Sequence, residues 1–170
     1  MRVLGIDPGL SRCGYGCIDA VGAGGRGAKA VAIGVLRTPV DAPVPERLAE
    51  LQRELRALIA ELRPDAVAVE RVFFQSNVRT AIGVAQASGL ALAEASAAGA
   101  VVAEYSPNQV KEAVAGWGGA SKEEVERMVR ALLGIEAPLR PVDAADAAAL
   151  ALCHLAHAPR LAQLTRAGAR

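Results

Sequence analysis

Four carboxylates in this chain have the types and spacing expected of a cation-binding site. Asp7 ends the apolar segment VLGID and is followed at once by a Pro-Gly pair, so it lies at the end of a predicted buried strand. Glu70 ends the apolar segment AVAVE in the same way. Asp143 and Asp146 stand three residues apart at the start of a predicted helix, which places them on one helix face.

These acids also have structural explanations, which the spacing alone leaves open. An aspartate such as Asp7 commonly caps a Pro-Gly turn, and an acid near a helix start gains ~0.3–1 kcal/mol from the positive helix end. A second aspartate on the same helix face, however, repels the first unless a cation binds between them. Clustered carboxylates select hard cations such as Mg²⁺ or Mn²⁺, and two such ions ~3.5–4 Å apart support phosphodiester hydrolysis.

The elements that position Asp7 and Glu70 follow from hydrophobic periodicity. Apolar segments at residues 3–6, 15–20 and 28–36 predict an antiparallel three-strand meander. Leucines recurring at intervals of three and four over 44–62 predict an amphipathic helix, which leads to a fourth strand at 66–69. A helix between two buried strands makes them parallel, so both acids should emerge at the same sheet edge.

The second half of the chain is predicted to be mainly helical. An Ala-rich helix at 77–98 carries small residues that permit close packing against another helix, and a fifth strand follows at 100–105. A short helix is predicted at 107–115, and a capping box at Ser121 opens a helix that ends near residue 133. The last helix begins near Val142 and ends at Pro159, which divides the chain into a domain at 1–158 and a flexible tail at 159–170.

Composition limits the possible classes of protein. The 170 residues suit one domain, and the sequence has neither an apolar run long enough to cross a bilayer nor a signal peptide pattern, so we expect a soluble cytoplasmic protein. Three cysteines without a C-x-x-C pair indicate neither a disulfide framework nor a thiolate zinc site. The G-x-G-x-x-G match at Gly22, Gly24 and Gly27 precedes a strand, which favours a hairpin loop over a dinucleotide site.

Four segments, in order and spacing, resemble the RuvC Holliday-junction endonucleases. They are LGIDPGLSRCGYG, VAVERVFFQSN, PNQVKEAVAGWGGASKEEV and DAADAAALALCHLAH, and the resemblance covers residues 2–157. It implies an α/β ribonuclease H-like fold, a five-stranded mixed sheet with helices on both faces. It also implies a Mg²⁺-dependent homodimeric crossover junction endodeoxyribonuclease, with two ions per site and Mn²⁺ able to substitute. Such an enzyme makes symmetric paired nicks in opposed strands of a four-way DNA junction, in concert with a branch-migration motor of the RuvA and RuvB type.

The resemblance also assigns roles to single residues. It places the catalytic and metal-binding acids at Asp7, Glu70, Asp143 and Asp146. It places DNA-binding residues at Phe73, which would stack on an unpaired base, and at Lys111 and Lys122, which would contact the junction backbone. The structural alternatives are a core-covering role for Phe73 and a solvated helix surface for the lysines.

A few nearby residues depart from the pattern or stay open. Arg71 stands where an uncharged polar residue is expected, and it is expected to point to the opposite strand face. His154 lies two helical turns beyond Asp146, so we interpret it and His157 as structural or surface residues. Trp117 either anchors the GWGG loop or contacts DNA.

Three rival functions remain. Another nuclease of this fold, such as a YqgF-type enzyme or a ribonuclease H, would share the acids but not the lysine segments and Phe73. A sugar-kinase or actin-like ATPase also begins with a strand leading into Asp and Gly, but 170 residues supply only one of its lobes. A non-catalytic junction-binding module should lack a complete acidic set.

Overall fold

The computed structural model describes residues 1–21, 27–72 and 78–168. The described strands and helices follow one another in the predicted order. The strands are β1 (Arg2–Asp7), β2 (Arg12–Val21), β3 (Gly27–Arg37), β4 (Ala66–Glu70) and β5 (Val101–Tyr105). The helices are α1 (Val44–Leu62), α2 (Val78–Ala97), α3 (Pro107–Ala115), α4 (Lys122–Leu133) and α5 (Val142–Gly168).

The strands form one mixed sheet in the order β3-β2-β1-β4-β5. The first three strands are antiparallel neighbours, which confirms the predicted meander. β4 runs parallel to β1, with Val3 opposite Ala66 and Ile6 opposite Val69, and β5 runs parallel to β4. Asp7 and Glu70, one residue beyond these paired positions, therefore emerge at the same sheet edge, as predicted.

Helices cover both faces of the sheet because its central strands are apolar on both sides. Leu4 and Ile6 of β1 point into a core shared with α1 and α2, where they meet Leu51 and Leu55. Val3 points to the opposite face, into a core formed with α3, α4 and α5. This arrangement confirms the predicted five-stranded α/β fold with helices on both faces.

Helix α5 lies unusually close to the sheet, since small residues face each other across the contact. Gly16 of β2 packs against Ala148, where an added Cβ would come within 2.6 Å of the Ala148 Cα. Gly5 and Gly14 make similar close approaches to the α5 backbone at Ala147 and Asp143. The beginning of α5 is thereby fixed beside the ends of β1 and β2, which brings its two aspartates to the acidic sheet edge.

The structure differs from the predicted elements at the end of α5. Helix α5 continues to Gly168, past the predicted end at Pro159; an interior proline removes one helical hydrogen bond, but the following residues are mostly good helix formers. In α2, Ala87 and Ala91 are fully buried in the core that α2 shares with α1 and the sheet, so α2 packs against another helix of the same chain. The division at residue 158 stays a prediction.

The segment at Gly22 and Gly24 lies outside the described residues, but its flanking strands are antiparallel neighbours paired as far as Val21 and Gly27. A strand therefore follows the glycines, which excludes a strand-turn-helix dinucleotide fingerprint there. No helix in the described ranges is both long enough and apolar enough to cross a membrane.

Candidate active site

Three of the four predicted acids share one pocket at the sheet edge. The pocket, of about 140 Å³, receives Asp7 from the end of β1, Glu70 from the end of β4 and Asp146 from the start of α5. Lys111 of α3 and Lys122 of α4 stand in the same pocket. Its apolar wall is formed by Pro107, Val110, Val125, Ala149 and Leu150.

Two of these carboxylates, Asp7 and Glu70, have a raised pKa because they are buried close to other acids. Burial raises the pKa of Asp7 to about 8, and the negative charges of Glu70, Asp146 and Asp143 add to this effect, while Lys122 opposes it. Burial, together with the charge of Asp146, also raises the pKa of Glu70, again against the opposing influence of Lys122. The pocket is therefore short of positive charge, which is the electrostatic condition that favours binding of a cation.

Lys122 reaches into this cluster instead of pointing only to solvent. Its Nζ lies 2.9 Å from Oδ2 of Asp146, and this hydrogen bond raises the pKa of the lysine. A reciprocal capping box orients the start of α4, because Ser121 Oγ accepts from the Glu124 amide at 3.2 Å and the Glu124 carboxylate accepts from the Ser121 amide. A solvated helix surface, the structural alternative for Lys122, therefore does not describe this residue fully. Its ammonium also neutralises part of the acidic cluster.

Lys111 is placed by a second capping box. Ser106 Oγ accepts from the Gln109 amide at 3.3 Å, and the Gln109 side chain accepts from the Ser106 amide at 2.9 Å, which fixes the first turn of α3. Lys111 then stands one turn further on, at the pocket wall. Within the described ranges it has no ion-pair partner.

Asp143 is separated from the other three acids. Its Oδ2 lies 3.6 Å from Nε of Arg12, and its side chain lines a neighbouring groove instead of the pocket. Its charge still raises the pKa of Asp7. Across residues 1–21, 27–72 and 78–168, no three acidic, histidine or cysteine side chains are placed to hold one metal ion together. The predicted set of four therefore appears as three acids in one pocket with the fourth beside it.

Sequence reasoning missed the contacts that two cations make with these acids, although it had singled out Lys122 for another role. Arg12 reaches Asp143 from the start of β2, and Lys122 reaches Asp146 across 24 positions of sequence. No local pattern signals such contacts.

The remaining singled-out residues have varied outcomes. Phe73 lies outside the described residues, so its predicted stacking role stays a prediction. Arg71 is exposed, and its backbone amide donates to the Tyr105 carbonyl at 2.8 Å.

His154 is buried, with Nδ1 2.9 Å from the Tyr105 hydroxyl, and burial lowers its pKa, which agrees with the predicted structural role. Trp117 is 55% exposed and lies over Gly119.

Known proteins match this chain over nearly its whole length. The family model "Crossover junction endodeoxyribonuclease RuvC" matches residues 3–154. A curated protein of that name from Salinispora arenicola is 54% identical over 155 residues, which is 91% of this chain and 87% of the relative. Another, from Syntrophomonas wolfei, is 49% identical over 169 residues, covering 99% and 96% of the two chains.

Solved structures agree with these relatives. The Thermus thermophilus RuvC structure superposes with a TM-score of 0.86 at 40% identity, covering 94% of this chain and 96% of that one. The structure of T. thermophilus RuvC in complex with a Holliday junction substrate gives a TM-score of 0.87. The yeast mitochondrial Holliday junction resolvase Ydc2, with a TM-score of 0.69 at 16% identity over 95% of this chain and 82% of that one, shares the fold. The acidic sheet edge and the full-length matches lead to one conclusion: this chain belongs to the RuvC family of crossover junction endodeoxyribonucleases, with a ribonuclease H-like fold.

Proposed function

We propose that this chain resolves Holliday junctions by metal-dependent hydrolysis of phosphodiester bonds, and that Asp7, Glu70, Asp143 and Asp146 are its catalytic acids. The observation that carries this assignment is the crowding of carboxylates at one sheet edge, where burial, with the neighbouring acids adding to it, raises the pKa of Asp7 to about 8. Such crowding is unfavourable in the free protein, so it is explained best by a cation that binds during function.

The donor set suits Mg²⁺, and we include two ions per site, with Mn²⁺ able to substitute, in the proposal. Aspartate and glutamate supply hard oxygen ligands, and the pocket contains no histidine or cysteine that would favour a softer metal. A bound divalent cation supplies charge neutralisation for the phosphodiester and lowers the pKa of a bound water. Because Asp146 already contacts Lys122, a cation that uses Asp146 must compete with the lysine ammonium.

The chain's own cations are placed to act on the DNA. We assign Lys111 and Lys122 to backbone phosphates next to the cut, since both stand at the wall of the acidic pocket and an ammonium binds phosphate as a point charge. Lys122, released from Asp146, could then turn its charge to the DNA. Phe73, three residues beyond Glu70, is assigned to base stacking at the strand-exchange point, where a stacked aromatic is worth ~1–3 kcal/mol.

Paired cleavage requires two acidic pockets, so the proposal includes a homodimer. A four-way junction has two equivalent scissile strands related by approximate two-fold symmetry, which a two-fold dimer with one pocket per chain would match. We place the interface on the outer side of α2, where Ile82 is 51% exposed and Gly89 also faces solvent. Action with a branch-migration motor of the RuvA and RuvB type, and a cytoplasmic location, belong to the same proposal.

The test compares a synthetic four-way junction with a linear duplex of the same arm sequence, each incubated with Mg²⁺ or with a chelator. We expect nicks in two opposed strands of the junction only, lost in the chelator, and ends that a ligase can rejoin. Equal cutting of the linear duplex would favour a general nuclease instead. Junction binding without cutting in Mg²⁺ and in Mn²⁺ would favour a non-catalytic binding module.

A further inference from the structure

Arg47 of α1 is a buried cation that has only neutral partners. Its side chain is 9% exposed, Nε donates to Thr38 Oγ1 at 3.0 Å, and Nη2 donates to Ser11 Oγ at 2.6 Å. Its remaining nitrogen, Nη1, makes no hydrogen bond to the described residues, and none of their carboxylates lies within ion-pair distance. Burying a charge without a counterion is unfavourable, so this arrangement calls for an anion from outside the chain.

Arg47 faces a groove that adjoins the acidic pocket. The groove, of about 580 Å³, is lined by Ser11, Arg12 and Arg47 together with the start of α2. Asp143 lines the groove but not the pocket, and it is already paired with Arg12 at 3.6 Å. Two arginines against one aspartate leave the groove with a net positive charge, in contrast to the acidic pocket beside it.

The hydroxyls around Arg47 differ in what they offer to a ligand. Thr38 Oγ1 accepts from Arg47 and donates to the Leu10 carbonyl, so its proton is already used. Ser11 Oγ also accepts from Arg47, but its own proton has no acceptor among the described residues, and Ser11 is exposed. The groove therefore presents donors, namely the Ser11 hydroxyl and the two guanidinium groups, which is a set that suits the oxygens of a phosphate.

We propose that Ser11, Arg12 and Arg47 form a binding site for a backbone phosphate of the strand being cut, next to the phosphate that enters the acidic pocket. This inference rests on the proposed junction cleavage. It gives Arg47 a positioning role: by holding the neighbouring phosphate, the groove fixes the register of the strand relative to Asp7. The Thr38 hydrogen bond keeps the guanidinium in place without contacting DNA.

The first test measures how junction affinity depends on salt, in a chelator so that no cleavage occurs. Arg47→Met should reduce the slope of log affinity against log salt by about 0.7–0.9, because one phosphate contact is lost. Arg47→Lys keeps the charge and should keep most of the slope. Arg53→Met removes an exposed arginine from the same helix and should keep the wild-type slope.

The second test locates the phosphate. Neutral methylphosphonates are placed one at a time at positions flanking the cut, and one position should weaken wild-type binding while leaving Arg47→Met binding unchanged. A purely structural Arg47 would instead lower the melting temperature in both Arg47→Met and Thr38→Val without changing either slope, which would overturn the inference. If the wild type binds no junction even at low salt, the proposed function fails instead, so the two failures are distinguishable.

Discussion

Asp7 is the residue at which pH acts most directly on this site. Its pKa is raised from the usual range near 4 to about 8 in the folded protein, first by burial and then by neighbouring acids. The folded state therefore holds a proton that the unfolded chain releases near pH 4. In metal-free buffer, this group's contribution to stability is fully present below pH 4 and is lost as pH rises toward 8.

We expect Asp7→Asn to raise the melting temperature in chelator, because an amide never ionises. The gain should be small near pH 4 and grow up to about pH 8, where it is on the order of a few kcal/mol. Thermal melts across this pH range check it. Cleavage in Mg²⁺ should be abolished while junction binding persists. Binding depends on the neutralisation of DNA phosphates by lysine and arginine, which does not require Asp7. If the difference in melting temperature between Asp7→Asn and the wild type did not change with pH, the pKa of Asp7 would not be raised in the folded protein.

Lys122 and Lys111 form a matched pair for testing charge compensation. Lys122→Met removes the ammonium 2.9 Å from Asp146, so the acidic cluster loses its nearby cation. We expect a loss of ~0.5–1 kcal/mol of stability in metal-free buffer at pH 7, a modest figure because the lysine is largely exposed. Added Mg²⁺ should restore stability in this variant more than in the wild type, as differential scanning fluorimetry would show.

Lys111→Met is the control for that measurement, because Lys111 has no ion-pair partner in the described ranges. It should leave metal-free stability unchanged while weakening junction binding. Equal destabilisation by the two substitutions would mean that the Lys122 contact with Asp146 contributes nothing specific. Both variants should show a smaller salt dependence of binding if both lysines contact phosphates.

At the scale of elements, the close contact of α5 with the sheet positions Asp143 and Asp146, the two acids of α5 that we propose to be catalytic. Gly16→Ala places a Cβ within 2.6 Å of the Ala148 Cα, and backbone on both sides leaves no flexible atom to yield. We expect a loss of about 1–3 kcal/mol of stability, typical of overpacking, measured by urea denaturation. The shift of α5 should also lower cleavage at saturating junction, since Asp146 moves with the helix. If Gly16→Ala were as stable as the wild type, α5 would accommodate the added methyl group.

The elements could be predicted because their signals are local. Apolar runs ending in Asp7 and Glu70, the leucine periodicity of α1 and the capping box at Ser121 each lie within a few neighbouring residues. The site could be predicted only in part, for a physical reason. The contacts of Lys122 with Asp146 and of Arg12 with Asp143 join distant segments, and side-chain reach across a fold leaves no pattern in the chain.

The buried Arg47 illustrates the same limit. From the sequence, Arg47 is one polar residue near the start of the amphipathic helix α1, with nothing to mark it as buried. Only the folded arrangement brings it to Ser11 and Thr38 and away from any described carboxylate. The predicted end of α5 failed for a different reason, since one proline was weighted above the helix-forming residues around it.

At the scale of the whole molecule, the proposed dimer can be tested by a substitution that should not disturb the folding of a single chain. Gly89 of α2 is exposed, and a Cβ added there meets nothing within 4 Å. Gly89→Glu should therefore fold normally but place a charge in the proposed interface. Sedimentation velocity should then show a monomer, and the junction should be nicked in one strand at a time. A wild type that is monomeric both free and on the junction would exclude paired incision by a dimer.

The small-residue face of α5 also limits how far this sequence can vary. This face contains three fully buried alanines, Ala147, Ala148 and Ala151. Glycines of the sheet lie opposite them, so the distance between α5 and the sheet leaves no room for a larger side chain. In a saturation mutagenesis library selected for resolution of junctions, these positions should tolerate almost nothing larger than alanine. The exposed outer face of α1 should accept most substitutions. The genetic robustness of this enzyme would then be lowest at three alanines, whose side chains carry no polar group.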